Sequence, residues 1–203
     1  MGATLGCPSH LTPEANDDSH LSRMGMAGQN RFLLSEMQRR AATARSSCVF
    51  ISYRRNDEAI AKEIAAFLTV NGIDYWLDLR SVEVGLARAL GDDLALANAI
   101  EKGLDGCTHL LGILSATTFD SAWVPYEIGS ARGRERSVAH VIERSVQDFQ
   151  IPAFVRLGTP IADQAALRSW MRSVSNVLLD SRQASPMPAG VQALLPPVRS
   201  LRL

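Results

Sequence analysis

Residues 46–56 read "SSCVFISYRRN". Cys48, Val49, Phe50 and Ile51 form a short apolar run with β-branched and aromatic members, which predicts a buried strand over 48–52. The run passes straight into Ser52, Tyr53, Arg54 and Arg55. A strand that only had to be buried would not end on a hydroxyl, a phenol and two guanidinium groups. Something is held at its carboxyl end.

Working outward, strand and helix patterns alternate. Residues 57–71 carry Ile60, Ile64, Phe67 and Leu68 at helical spacing and stop at Asn71-Gly72. "IDYWLD" (73–78) reads as a second strand and "LRSVEVG" (79–85) as a loop closed by Gly85. A helix is predicted near 90–103, a strand at 108–115 ("THLLGILS"), a helix at 122–136 and a strand at 138–143 ("VAHVIE"). "PAFVRLG" (152–158) reads as a fifth strand and 163–174 as a last helix. Short apolar strands separated by amphipathic helices imply a parallel sheet covered on both faces. In such sheets ligands sit beyond the carboxyl ends of the strands. Ser52 to Arg55, the loop from Asp78 to Gly85, and the residues from Ser115 to Trp123 all fall on that edge.

The flanks read differently. Residues 1–45 form an N-terminal arm: 1–28 show no persistent period, and "NRFLLSEMQRRAATA" (30–44) has Leu33, Met37, Ala41 and Ala44 at helical spacing. That helix is free to pack on the domain or on a second subunit. The central domain spans 46–176, and 177–203, with Pro186, Pro188, Pro196 and Pro197, reads as an irregular tail.

The chain has 203 residues, 46% hydrophobic and 21% charged, with a formal net charge of zero. That balance gives no footing for bulk nucleic-acid or acidic-membrane binding. No apolar run approaches a membrane span, and the N-terminus lacks the basic-then-apolar order of a secretory signal. Cys7, Cys48 and Cys107 fit neither a disulfide framework nor a zinc spacing, and Cys48 and Cys107 read as small buried hydrophobes. The expectation is a soluble protein of the reducing cytoplasm, with no metal.

"SAWVPYEIGSARGRER" (121–136) carries the most chemistry. Pro125 belongs in a first helical turn, so the helix starts near Trp123. Trp123, Glu127 and Ala131 share a face, and Val124, Ile128 and Ala131 supply the core stripe. Glu127 has no basic residue at i+4. It lies in the first turns, where the helix dipole favours its ionised form, and an indole one turn away can shield it from water. One reading is a glutamate that only complements the dipole. The other is a carboxylate that bonds ribose hydroxyls and stabilises an oxocarbenium-like centre. Arg54 and Arg55 either pair with Asp57 or Glu58, or contact the phosphates or ribose of a nucleotide. Asp78 reads as a loop cap and Glu83 as a solvated loop residue, while Gly85 marks a turn needing positive φ. His109, inside an apolar strand, reads as a hydrogen-bonded core histidine. No phosphate-loop, dinucleotide-fingerprint or metal-protease pattern occurs. A phospho-receiver domain would need acidic residues after the first strand, where this chain has arginines.

These boxes resemble a known family. "VFISYRRN" (49–56) is similar to the first signature box of Toll/interleukin-1 receptor (TIR) domains, "YWLDLRSVEVG" (75–85) to their second strand and BB loop, and "LLGILS" with "SAWVPYE" to the third strand and the W-x-x-x-E helix of enzymatic members. The resemblance implies a flavodoxin-like, three-layer α/β fold with a five-stranded parallel sheet. It implies an enzyme that cleaves NAD, as a substrate and not a cofactor, to nicotinamide and a linear, cyclic or transferred ADP-ribose product. The catalytic glutamate falls on Glu127, and the pocket-lining residues on Ser52, Tyr53, Arg54, Asp78, Glu83, Gly85 and Trp123. A lone domain with short arms is similar to bacterial forms that act in antiviral defence or virulence, by homo-oligomerisation through TIR–TIR contacts and in some cases with a partner effector protein. Other family members lack the glutamate and work as scaffolds through the BB loop, which remains the alternative.

Overall fold

Residues 48–52 form the centre of the molecule because both faces of that strand are needed. In the computed structural model, which describes residues 28–35, 38, 47–77, 91–120, 122–143, 145–175 and 186–195, strand β1 (Cys48–Ser52) is buried along its whole length. Side chains alternate across a strand. Val49 and Ile51 join one apolar cluster, and Cys48 and Phe50 join the other. The remaining strands are β2 (Asp74–Trp76), β3 (His109–Leu114), β4 (Ser137–Ile142) and β5 (Thr159–Ile161). All pair in parallel, in the order β2-β1-β3-β4-β5. This is the doubly wound order, and its switch point lies between β1 and β3.

Helices cover both faces, as the resemblance implied. Helix α1 (Glu58–Val70) puts Ile64, Phe67 and Leu68 on the Val49/Ile51 side. Helices α2 (Asp93–Asp105) and α3 (Trp123–Gly133) put Leu96, Ile100, Leu104, Val124, Ile128 and Ala131 on the Cys48/Phe50 side. Each fully buried Leu or Ile adds about 1.5–3 kcal/mol, so these two clusters hold the sheet. The turn after α1 needs Gly72, at φ 67°. The thiols of Cys48 and Cys107 are buried and 3.1 Å apart. Burial pushes the Cys107 thiol well above its ordinary range, so it stays protonated.

Two expectations are corrected, and a third is narrowed at its start. Residues 152–158 are not a strand. Pro152 caps a short helix, α4 (Ala153–Arg156), and the fifth strand follows it at Thr159–Ile161. Pro160 has no N–H for a ladder and argues against a strand in the sequence, but β5 is an edge strand and tolerates it. The tail is not wholly irregular. After α5 (Gln164–Val174), residues Ala189–Leu194 form helix α6, with Val191 and Leu194 buried against the α1 side. Glu63 of α1 accepts from the N–H groups of Gly190 (2.6 Å) and Val191 (3.2 Å), which fixes the start of α6.

Over the predicted helix at 30–44 the first residues are not α-helical, while Gln38 is helical. Arg31–Leu33 is a single 3-10 turn, and Leu34 is already extended at φ −84°, ψ 149°. The side chain of Asn30 caps this turn and ties it to the end of β2. It accepts from Phe32 N–H (3.2 Å) and Leu77 N–H (3.1 Å) and donates to the Leu77 carbonyl (2.9 Å). Residues 36, 37 and 39–44 lie outside the described residues. The turn is packed into the domain. Arg31 is wholly buried, pairs with Asp74 at 3.0 Å and donates to the Gly106 carbonyl at 3.1 Å. Phe32 meets the Trp76 ring edge-on at 5.4 Å.

Candidate active site

The site is built where β1 ends. Ser52 is the last residue of β1 and is 1% exposed. In register it faces Gly112 of β3, which in turn faces His140 of β4. In a parallel sheet these three positions form a row pointing to one face, here the face that carries α3. Gly112 leaves the middle of the row empty. A Cβ built there would lie 3.5 Å from Ile128 Cδ1, so α3 rests directly on β3. Glu127, the residue before Ile128, thereby reaches the end of β1 and accepts a hydrogen bond from the Ser52 hydroxyl. Glu127 is 7% exposed. Helix α3 begins at Trp123 with Pro125 in its first turn, so Glu127 lies near the positive end of the helix dipole.

The role of Gly112 is testable. Gly112→Ala adds a methyl at ordinary contact distance and should be nearly neutral. Gly112→Val pushes two further methyl groups toward Ile128 and should cost about 1–3 kcal/mol, the usual range for overpacking. Urea midpoints measure both. Equal midpoints for the two variants would mean that α3 does not need this close approach.

Other residues singled out from the sequence divide between the faces. Trp123 is half-buried one turn before Glu127 and meets Tyr126 edge-on at 5.8 Å. Tyr126 donates to Glu101 of α2 at 2.8 Å, and this bond to a carboxylate raises the pKa of the phenol. Tyr53 packs against the Val49/Ile51 cluster, on the opposite face from Glu127. Arg54 pairs with neither Asp57 nor Glu58. Its Nη1 donates to the Thr117 carbonyl and to Asp120 Oδ2 at 3.2 Å, strapping the end of β1 to the loop after β3. Glu58 pairs with Lys62 instead, at 2.6 Å. Arg55 is exposed. Asp78, Glu83 and Gly85 lie outside the described residues. His109 bonds the Thr108 hydroxyl at 2.8 Å and meets the ring of Trp170 at 6.3 Å.

The sequence put Ser115 on this edge and offered Asp57 only as a partner of Arg54 or Arg55, so it missed that Ser115 and Asp57 pair with each other. Asp57, nine-tenths buried, accepts from the Ser115 hydroxyl at 2.8 Å, and the Ser115 N–H donates to Thr118 at 2.8 Å. Burial raises the Asp57 carboxyl above its ordinary range. Asp57, Ser115 and Glu143 line a cleft of about 360 Å³ together with Ile60, Ile113 and Leu194, on the α1 side of the sheet. The available signal was positional: Ser115 follows β3 and Asp57 precedes α1, both on the ligand edge. Among the described residues no group of three or more His, Cys, Asp or Glu side chains is placed to hold a metal ion. No described helix is long and apolar enough to cross a membrane.

Compared with known proteins, residues 49–173 match the family model described as TIR domain. No curated protein matches the chain.

Proposed function

Because the chain belongs to the TIR domain family, which includes both NAD-cleaving enzymes and non-enzymatic members, we propose that it is an enzymatic member that cleaves NAD to nicotinamide and a linear, cyclic or transferred ADP-ribose product. One observation carries the reading. Glu127 is buried at the carboxyl edge of the sheet and oriented by Ser52. A carboxylate that served only the helix dipole would gain as much on the surface, and burying it costs free energy unless it is hydrogen-bonded. Nicotinamide leaves a cationic pyridinium as a neutral ring, so its departure needs no general acid. The enzyme must orient the ribose and stabilise positive charge at the anomeric carbon, and an ionised Glu127 can do both. The purified chain, incubated with NAD and its products separated by chromatography, tests this directly. Release of nicotinamide supports the reading, and intact NAD after prolonged incubation removes it.

Arg54 is proposed to meet the dinucleotide. Its Nη1 makes the strap to Thr117 and Asp120, and a guanidinium has five donors. Arg54→Ala should lower kcat/KM for NAD about tenfold, the value of a hydrogen bond to a charged group. Arg55→Ala should stay within about twofold, the effect of an exposed charge. Steady-state kinetics compares them, and equal kinetics for both variants and wild type would make Arg54 purely structural.

The interaction-module reading has its own support. Phe149, Phe154 and Leu157 are 85%, 41% and 67% exposed within one short segment. Exposed apolar groups so close together fit contact with another protein. The two readings are compatible if homo-oligomers complete the pocket, and nicotinamide release decides whether there is an enzyme. A cytoplasmic setting and a role in bacterial defence or virulence belong to the same proposal.

A further inference from the structure

We propose that Ser52 is the positioning residue for Glu127 and makes no contact with substrate itself, an inference that rests on the NAD-cleaving reading. Ser52 is 1% exposed, and its backbone belongs to a strand with a neighbour on either side. A hydroxyl has a single hydrogen to donate. Here that hydrogen goes to Glu127 Oε2. A ligand arriving at the carboxyl edge therefore meets the carboxylate, with the serine behind it.

The packing explains why the pair forms and why it fixes geometry. Ser52 is anchored by the sheet and Glu127 by α3, and the two supports meet at Gly112, where a Cβ would lie 3.5 Å from Ile128 Cδ1. A glutamate has three side-chain torsions to settle, and a bond from a rigid strand to one carboxylate oxygen removes most of that freedom. The role differs from pocket lining, which the family resemblance implied for this residue. A lining residue changes how tightly substrate is held. A residue acting through Glu127 changes turnover.

The test is a cycle of four proteins: wild type, Ser52→Ala, Glu127→Gln and the double variant. Alanine is smaller than serine and is compatible with the fold. In the wild-type background Ser52→Ala should lower kcat about 10- to 100-fold, the scale of a misplaced catalytic group, with KM for NAD within about twofold. In the Glu127→Gln background the same change should alter kcat by less than about twofold, because the charge it positions is gone. An equal loss in both backgrounds, or a rise in KM alone, would place Ser52 in contact with substrate and overturn the inference. Full kcat in an active Ser52→Ala enzyme would overturn it while leaving the proposed function standing. A wild-type chain that turns over no NAD removes both. Urea unfolding of wild type, Ser52→Ala, Glu127→Ala and their double variant reads the Ser52–Glu127 contact without any activity, and additive stability changes there would show that the contact is absent.

Discussion

Glu127→Gln is expected to lower NAD cleavage at least about 100-fold, the scale of one preorganised electrostatic group in a water-shielded site, with the fold unchanged. The substitution is well matched to the question. Glutamine keeps the shape of glutamate, and its carbonyl oxygen can still accept from the Ser52 hydroxyl. The packing of Val124, Ile128 and Ala131 beneath it is untouched. What is lost is the negative charge. If Glu127 only balanced the helix dipole, its removal would cost stability of about 0.3–1 kcal/mol and leave chemistry alone. If it faces a developing cation, the loss appears in kcat. Nicotinamide release per active molecule measures one effect and a urea unfolding curve the other. Near-wild-type turnover by a folded Gln variant would take Glu127 out of the mechanism.

Glu127 was legible because its signals are local. Pro125 fixes the helix start, Trp123 lies one turn before it, and no basic residue at i+4 accounts for the charge. Its partnership with Ser52 was not legible, since it depends on how α3 packs on β1 and β3, elements distant in sequence. The same division holds for the fold. Strands β1 to β4 and helices α1, α2, α3 and α5 follow from periodicity, because each buries a stripe or a face in the two clusters. The failures share a cause. A proline has two permitted environments, an irregular segment on one hand and an edge strand or helix start on the other. Pro160 sits in an edge strand, and Pro188 caps a helix. Tyr53 was placed on the correct edge but beyond the end of β1, where the next position in the alternation turns it to the α1 side.

A chain that begins at residue 46, where the composition changes, should be much less stable than one that begins at 28. The shorter chain loses Arg31, whose Nε lies 3.0 Å from Asp74 Oδ2, with side chains 1% and 2% exposed. It also loses Gln29, whose N–H donates to Asp74 Oδ1 at 3.0 Å and whose carbonyl accepts from Tyr75 N–H at 2.9 Å. Asp74 opens β2, an edge strand of three residues held on its other side by β1. Removing one partner of a buried ion pair costs about 3–5 kcal/mol, because the remaining charge must stay buried without compensation or drag its strand into water. Losing the Phe32–Trp76 edge contact adds about 0.5–1.5 kcal/mol. Domains of this size have about 5–15 kcal/mol in total, so the shorter chain should unfold at a far lower urea concentration, with β2 the first element to loosen. Asp74→Asn separates the causes. In the shorter chain it should recover part of the loss, since a neutral amide is cheaper to bury than an orphaned carboxylate. In the longer chain it should destabilise, since it breaks the pair. Equal urea midpoints for the two chain lengths would mean that the 28–33 segment rests on the domain without holding it together, and the folded unit would then begin at β1.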